Sequence, residues 1–256
     1  ARAPLVPLRI FRSRSIAGGN VFMLLLFSAM FGAWYFETLY MQRVLGYSPL
    51  QAGLAFLPQT LLIAAGSQIT SRLVTRIGSR PLLLVGTIVS ASGLAWLSRI
   101  TTASAFLPDL FGPFVLIGLG LGLSVTPVTV AATAGVPRED AGLASGLLNA
   151  SRTVGASIGL AALATVAADR TARLLVGLDA TRDRAAVALT DGYARALGVG
   201  AMILVAAAVV AALAIPPLRT SREPVAADGL APDPDAPVEP IRLPDAIGSE
   251  EALERA

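Results

Sequence analysis

The sequence predicts an all-α membrane protein, a bundle of six transmembrane helices. Three observations carry this. Of 256 residues, 54% are hydrophobic and only 14% charged, where soluble domains run near a quarter charged. The apolar residues fall in blocks of about 20, enough at 1.5 Å per residue to cross roughly 30 Å of hydrocarbon. The basic residues, all 20 of them Arg, lie mostly in short stretches between those blocks, where they orient helices.

Composition also removes several function classes. There is no Cys, hence no disulfide framework and no thiolate metal site. There is no His, which removes the commonest neutral-pH general base and metal ligand. No cofactor, metal or catalytic constellation is expected, and no enzyme. Basic residues confined to loops do not suggest a nucleic-acid partner. The partner they suggest is the lipid bilayer.

Residues 1–15 carry Arg2, Arg9, Arg12 and Arg14 and read as a basic interfacial leader. The bundle is expected over 16–215. Its first span, about Ile16–Val44, places Trp34, Tyr35 and Tyr40 toward one end, as aromatics at a membrane interface. A turn at Gly46–Pro49 follows, with Ser48 as N-cap and Pro49 in the first turn of the next helix. The second span is about Pro49–Val74. A short loop with Arg72, Arg76 and Arg80 around Gly78 leads to an almost wholly apolar third span, about Pro81–Leu97.

The fourth span, about Asp109–Ala134, contains Gly118, Gly120, Gly122 and an interior Pro127. In lipid, neighbouring helices re-satisfy the backbone groups such residues free, so a kink near Pro127 is expected. The Gly118–Gly122 run lacks the spacing and preceding strand of a nucleotide-binding loop. Close packing or a hinge explains it better. The fifth span, about Ala141–Ala167, holds two small-residue pairs four apart, Gly142/Gly146 and Gly155/Gly159, which let helices approach closely. Residues 168–191 read as a longer charged loop. The sixth span is about Gly192–Ile215, and Pro216-Pro217 stops it.

The stretch 216–256 is Pro-rich and holds nine of the 17 acidic residues. It cannot bury a core and is expected to be a disordered cytoplasmic tail. The first residue is Ala1, and the chain reads as a fragment or truncated product. Short-loop arginines place both termini in the cytoplasm of a multi-pass cell-membrane protein. Arg170, Arg173, Arg182 and Arg184 on the opposite side run against that assignment.

Four strings together resemble one family. They are PLVPLRIFRSRS before the first span, YMQRVLGYSPLQAGLAFLP across the first two, GSQITSRLVTRIGSRPLLLVG, and VPREDAGLASGLLNASRTVGASIGLA entering the fifth. In that order they resemble the C-terminal half of a drug:proton antiporter of the major facilitator superfamily, in its 14-helix EmrB/QacA-type branch. The resemblance implies a proton-coupled exporter of drugs or antibiotics, and so antibiotic resistance. A small amphipathic substrate, protons and a missing N-terminal half are its implied partners. It also implies that the first and fourth spans line a cavity, that the second and fifth gate it, and that the third and sixth sit outermost. The alternative is a non-transporting membrane scaffold that keeps the half-fold.

The candidate substrate or proton residues are Glu37, Tyr40, Gln42, Gln59, Asn149 and Arg152. Glu37 is the one acid well inside an apolar block, and an intramembrane ionisable group is a functional hypothesis by default. The competing reading is a solvated Glu at the outer interface, since Glu37 lies about 25 Å along the helix from Asn20. Arg152 with Asn149 is either a cavity gate or a charge that snorkels or pairs; the family motif includes an Arg there. Arg72, Arg76 and Arg80 form a cytoplasmic gate loop or mark topology. For Gln59 and Tyr40, interhelical hydrogen bonding and interface anchoring compete with substrate contact.

Overall fold

The computed structural model describes residues 13–133, 136, 140–176 and 181–216. The leader arginines Arg2, Arg9 and Arg12, Arg138, and the acidic tail beyond Pro216 lie outside the described residues. Within them the chain is helical, with six helices long and apolar enough to cross a membrane: Arg14–Val44, Pro49–Ile77, Ser79–Leu97, Phe106–Thr133, Ala141–Leu175 and Arg182–Ala214. The end of the bundle where the first span begins is called the near end below, and the other the far end.

Local chemistry sets most boundaries. Ser48 caps the second span through a reciprocal pair. Its hydroxyl accepts from the Gln51 N–H at 3.3 Å, and its own N–H donates to Gln51 Oε1 at 2.9 Å. Such a box satisfies two of the donors a helix start leaves orphaned. Gly78, at φ 83°, makes the turn into the third span, a conformation that side-chain-bearing residues rarely adopt. The first span ends in a wider turn over Tyr40–Val44.

Two expectations are corrected. The second span is not one helix but Pro49–Ala55 followed by Leu57–Ile77. Pro58 explains the break at Phe56, because its ring removes an N–H and clashes with the preceding turn. The 168–191 segment is not a loop. The fifth helix runs on to Leu175, and the sixth starts at Arg182. Charged residues extend both helices past the apolar stretch. Arg173 pairs with Asp169 one turn earlier at 2.8 Å, and Arg170 ties the two helices together through Asp191 at 2.5 Å. The fourth helix passes through Pro127 without interruption.

The spans group in threes. The fourth lies between the second and third, and the first lies against the fifth and sixth. The third packs on the sixth, and the first on the fourth, joining the groups. Glycine decides how closely the members approach. A Cβ on Gly118 would fall 2.5 Å from the Gln59 carbonyl, and one on Gly122 2.5 Å from that of Ile63, both on the second span. Gly120, between them in sequence but on another face, lies against Gly86 and Ser90 of the third span. The alternating glycines therefore seat two neighbours at once.

The first and fifth spans run in the same direction along a seam of small and polar residues. Gly155 lies against Leu24, and Gly159 against Ser28. Ser28 donates to the Gly155 carbonyl at 2.8 Å, and Ser151 donates to Asn20 Oδ1 at 2.8 Å. Hydrogen bonds of this kind between membrane helices contribute about 0.6 kcal/mol on average. The pair Gly142/Gly146 shares the spacing but not the role. Nothing described lies within 4 Å of a Cβ at either, so packing among the described residues does not explain them.

The spans differ in how far the rest of this bundle covers them. The membrane-crossing stretch of the first span is 72% buried and that of the fourth 56%, against 50% and 44% for the third and sixth. The second and fifth spans are buried by only 22% and 28%. They flank the bundle, and their outer faces meet no other described helix.

Candidate functional site

Glu37 sits near the far end of the most enclosed helix. It is 2% exposed, and neither carboxyl oxygen has a hydrogen-bond partner among the described residues. The interface reading of a solvated side chain is therefore wrong for this structure. Its chain neighbours Phe36 and Tyr40 are enclosed as well. Phe36 packs its ring 5.5 Å from Tyr193 of the sixth span. One turn further on, Tyr40 is almost fully buried, and its hydroxyl donates to the Thr101 carbonyl at 2.5 Å. The turn after the third span thus closes over the end of the first. Tyr40 is a clamp for that turn, and its hydroxyl is already engaged. Tyr40→Phe is expected to cost about 1 kcal/mol, the usual net worth of one hydrogen bond. The readout is the thermal midpoint of the detergent-solubilised chain.

Asn149 and Arg152 come together, as the sequence suggested. Both are exposed on the outer face of the fifth span and line a groove of about 380 Å³ with Phe31, Thr153 and Ser157. The Arg152 guanidinium lies 4.6 Å above the Phe27 ring, a cation–π arrangement that holds a charge without neutralising it. Arg152 is eleven residues into a helix that begins at Ala141, about 17 Å along its axis. That is membrane depth, with no acid paired to it among the described residues.

The remaining candidates scatter. Gln59 is 1% exposed, sits under the fourth span beside Gly118, and its amide has no partner among the described residues. Gln42 is exposed at the far end. Arg72 and Arg76 are exposed, whereas Arg80 donates to the Ala212 carbonyl near the end of the sixth helix. Cations suit that position, where helix carbonyls lack partners. None of the three forms an ion pair among the described residues. Glu37 is ten residues beyond Phe27, about 15 Å along the first span, and does not line the Arg152 groove. The candidates therefore make two separate places, an enclosed acid and an open polar groove.

Sequence reasoning missed Thr153 and Ser157, which extend the Asn149–Arg152 stripe. Polar residues at 149, 152, 153 and 157 repeat at helical spacing on one face, and that signal was readable. Thr70 and Ser79 also bury hydroxyls without a partner among the described residues; no pattern marks them.

Residues 1–160 match the family model of the Major Facilitator Superfamily. The chain is 42% identical over 167 residues to the cephamycin export protein CmcT of Amycolatopsis lactamdurans, covering 65% of this chain and 34% of that protein. It is 35% identical over 208 residues to the puromycin resistance protein pur8 of Streptomyces alboniger, covering 79% and 41%. It is 34% identical over 171 residues to the tetracenomycin C resistance and export protein of Streptomyces glaucescens, covering 66% and 31%. The chain thus matches between 31% and 41% of the length of these relatives.

Proposed function

The chain belongs to the major facilitator superfamily, and from that premise we propose that it forms the C-terminal six-helix half of a proton-coupled drug or antibiotic exporter of the 14-helix branch. One observation carries the reading. Arg152 and Asn149 stand at membrane depth on an exposed helix face, beside Phe27 and Phe31 of the first span and otherwise open among the described residues. Facing lipid, an arginine costs about 2.5–3.5 kcal/mol even on the lenient insertion scale. A second bundle laid against the fifth and second spans removes that cost and turns the groove into the wall of an enclosed cavity. The unfilled positions at Gly142 and Gly146 suit close approach of such a bundle.

The export and resistance names of the relatives support small amphipathic compounds as cargo. Two bundles rocking about a midplane site give alternating access. In that cycle Glu37 carries the proton, Arg152 with Asn149 contacts cargo or gates its path, and the near end, with Arg72, Arg76 and Arg80 at its turn, faces the cytoplasm. In this reading both termini lie on the cytoplasmic side of the membrane.

The test is a fusion of this chain behind the part of a full-length relative that precedes the matched region. It is expressed in cells stripped of their own exporters. The fusion is expected to lower ethidium accumulation several-fold, and an uncoupler should abolish the effect. Arg152→Ala should return accumulation to the empty-vector level while membrane insertion is unchanged. Wild-type efflux from that variant removes Arg152 from the cavity. No efflux from a well-inserted fusion overturns the exporter reading.

A further inference from the structure

On the opposite flank, the third and sixth spans meet along small residues, Ala91, Ala95 and Ser98 on one and Gly198 and Ala201 on the other. Gly198 only touches Ser98, with a Cβ there 3.7 Å away. The loose fit leaves a groove of about 430 Å³, walled by Ile88, Met202 and Val205. These three side chains are 55–61% exposed.

Ser98 and Gly198 also line a second hollow of about 760 Å³ toward the far end. Its character is different. Asp169, Arg170, Arg173, Asp191 and Arg195 surround it. Two of the arginines are spent on the two aspartates, Arg170 on Asp191 and Arg173 on Asp169. Arg195 makes no ion pair among the described residues. The hollow therefore carries one surplus positive charge, three residues or about 4.5 Å along the helix from the mouth of the apolar groove.

The depths match one leaflet. Arg195 to Val205 is ten residues, about 15 Å, half of a 30 Å hydrocarbon core. Trp96, 47% exposed two residues before Ser98, sits at the level where aromatics mark the membrane interface. We propose that the third and sixth spans hold an anionic phospholipid, its phosphate on the Arg195 guanidinium and an acyl chain in the groove below. Charge complementarity and the continuity of a polar hollow with an apolar groove select that occupant. A phosphate with no lipid chain leaves the groove unfilled, and a zwitterionic lipid leaves the surplus charge unanswered.

The experiment is native mass spectrometry of the 256-residue chain released from detergent, titrated with phosphatidylglycerol or phosphatidylcholine of identical acyl chains. Phosphatidylglycerol is expected to bind about tenfold more tightly. Arg195→Gln should bring it down to the phosphatidylcholine level, and Arg195→Lys should keep most of the preference. Met202→Trp, which fills the groove, should weaken both lipids. Excess soluble glycerol phosphate should displace neither. Each variant is checked for an unchanged thermal midpoint. Should Arg195→Gln fail that check, the wild-type preference and the Met202→Trp result decide. Equal retention of the two lipids by the wild type overturns the proposal. So does an undiminished preference in folded Arg195→Gln, or displacement by glycerol phosphate.

Discussion

Replacing Gly120 by leucine is expected to take the bundle apart. A Cβ at this position lies within 2.5 Å of the Ser90 backbone nitrogen and overlaps the Gly86 carbonyl and the Ser90 hydroxyl. Two of these three atoms are backbone, so no rotamer change clears them. Adding side-chain atoms to a packed core ordinarily costs about 1–3 kcal/mol. Here the third span must also move off the fourth, which places the loss at or above the top of that range. The fourth span joins the second to the third, so the effect spreads beyond one contact. Gly120→Leu should run as aggregate on size exclusion or melt far below the wild type. Gly146→Leu, with nothing within 4 Å of its Cβ, is the matched control and should leave the isolated chain intact. A Gly120→Leu protein that melts with the wild type refutes this account of the glycine run.

Glu37→Gln is expected to separate activity from stability. The substitution keeps shape and removes only the ability to ionise. Because neither carboxyl oxygen has a partner among the described residues, no described contact is lost. An ionisable side chain buried without a partner is a burden on folding. The thermal midpoint of the variant should therefore equal or exceed that of the wild type. In the exporter fusion, uncoupler-sensitive dye efflux should fall tenfold or more, since a group that cannot exchange a proton cannot couple its flow. Full efflux with the wild-type response to the uncoupler would make Glu37 a bystander. A large fall in melting temperature would mean that it is structural.

The spans were legible because hydropathy reports bilayer thickness directly. The helix ends were not, for the same reason. Residues 168–175 and 182–191 continue as helix once outside the apolar stretch, and charged residues there look like loop to a hydropathy reading. The Asp169–Arg173 spacing of four was the available hint. Glycine spacing shows that close approach is possible but not from which side. Gly155/Gly159 and Gly142/Gly146 look alike in sequence, yet the first span covers one pair and leaves the other open. The competing interface reading of Glu37 fails because axial distance gives depth along a helix and ignores what packs around it. Only the three-dimensional packing, in which Tyr40 one turn beyond is also buried, shows the enclosure. The Arg152 stripe, by contrast, depended on one helix face alone, and the sequence contained it in full.

The same-direction seam between the first and fifth spans also sets a schedule. Asn20 and its partner Ser151 are 131 residues apart. At a synthesis rate of about 5–20 residues per second, the first span waits roughly 7–26 s before the residues that satisfy it exist. During that interval Asn20 and Ser28 sit in the membrane without their eventual interhelical partners. Other proteins of the insertion machinery have time to engage them. The seam with the fifth span therefore closes late, and a ribosome stalled before that span leaves the first span of the bundle without that cover.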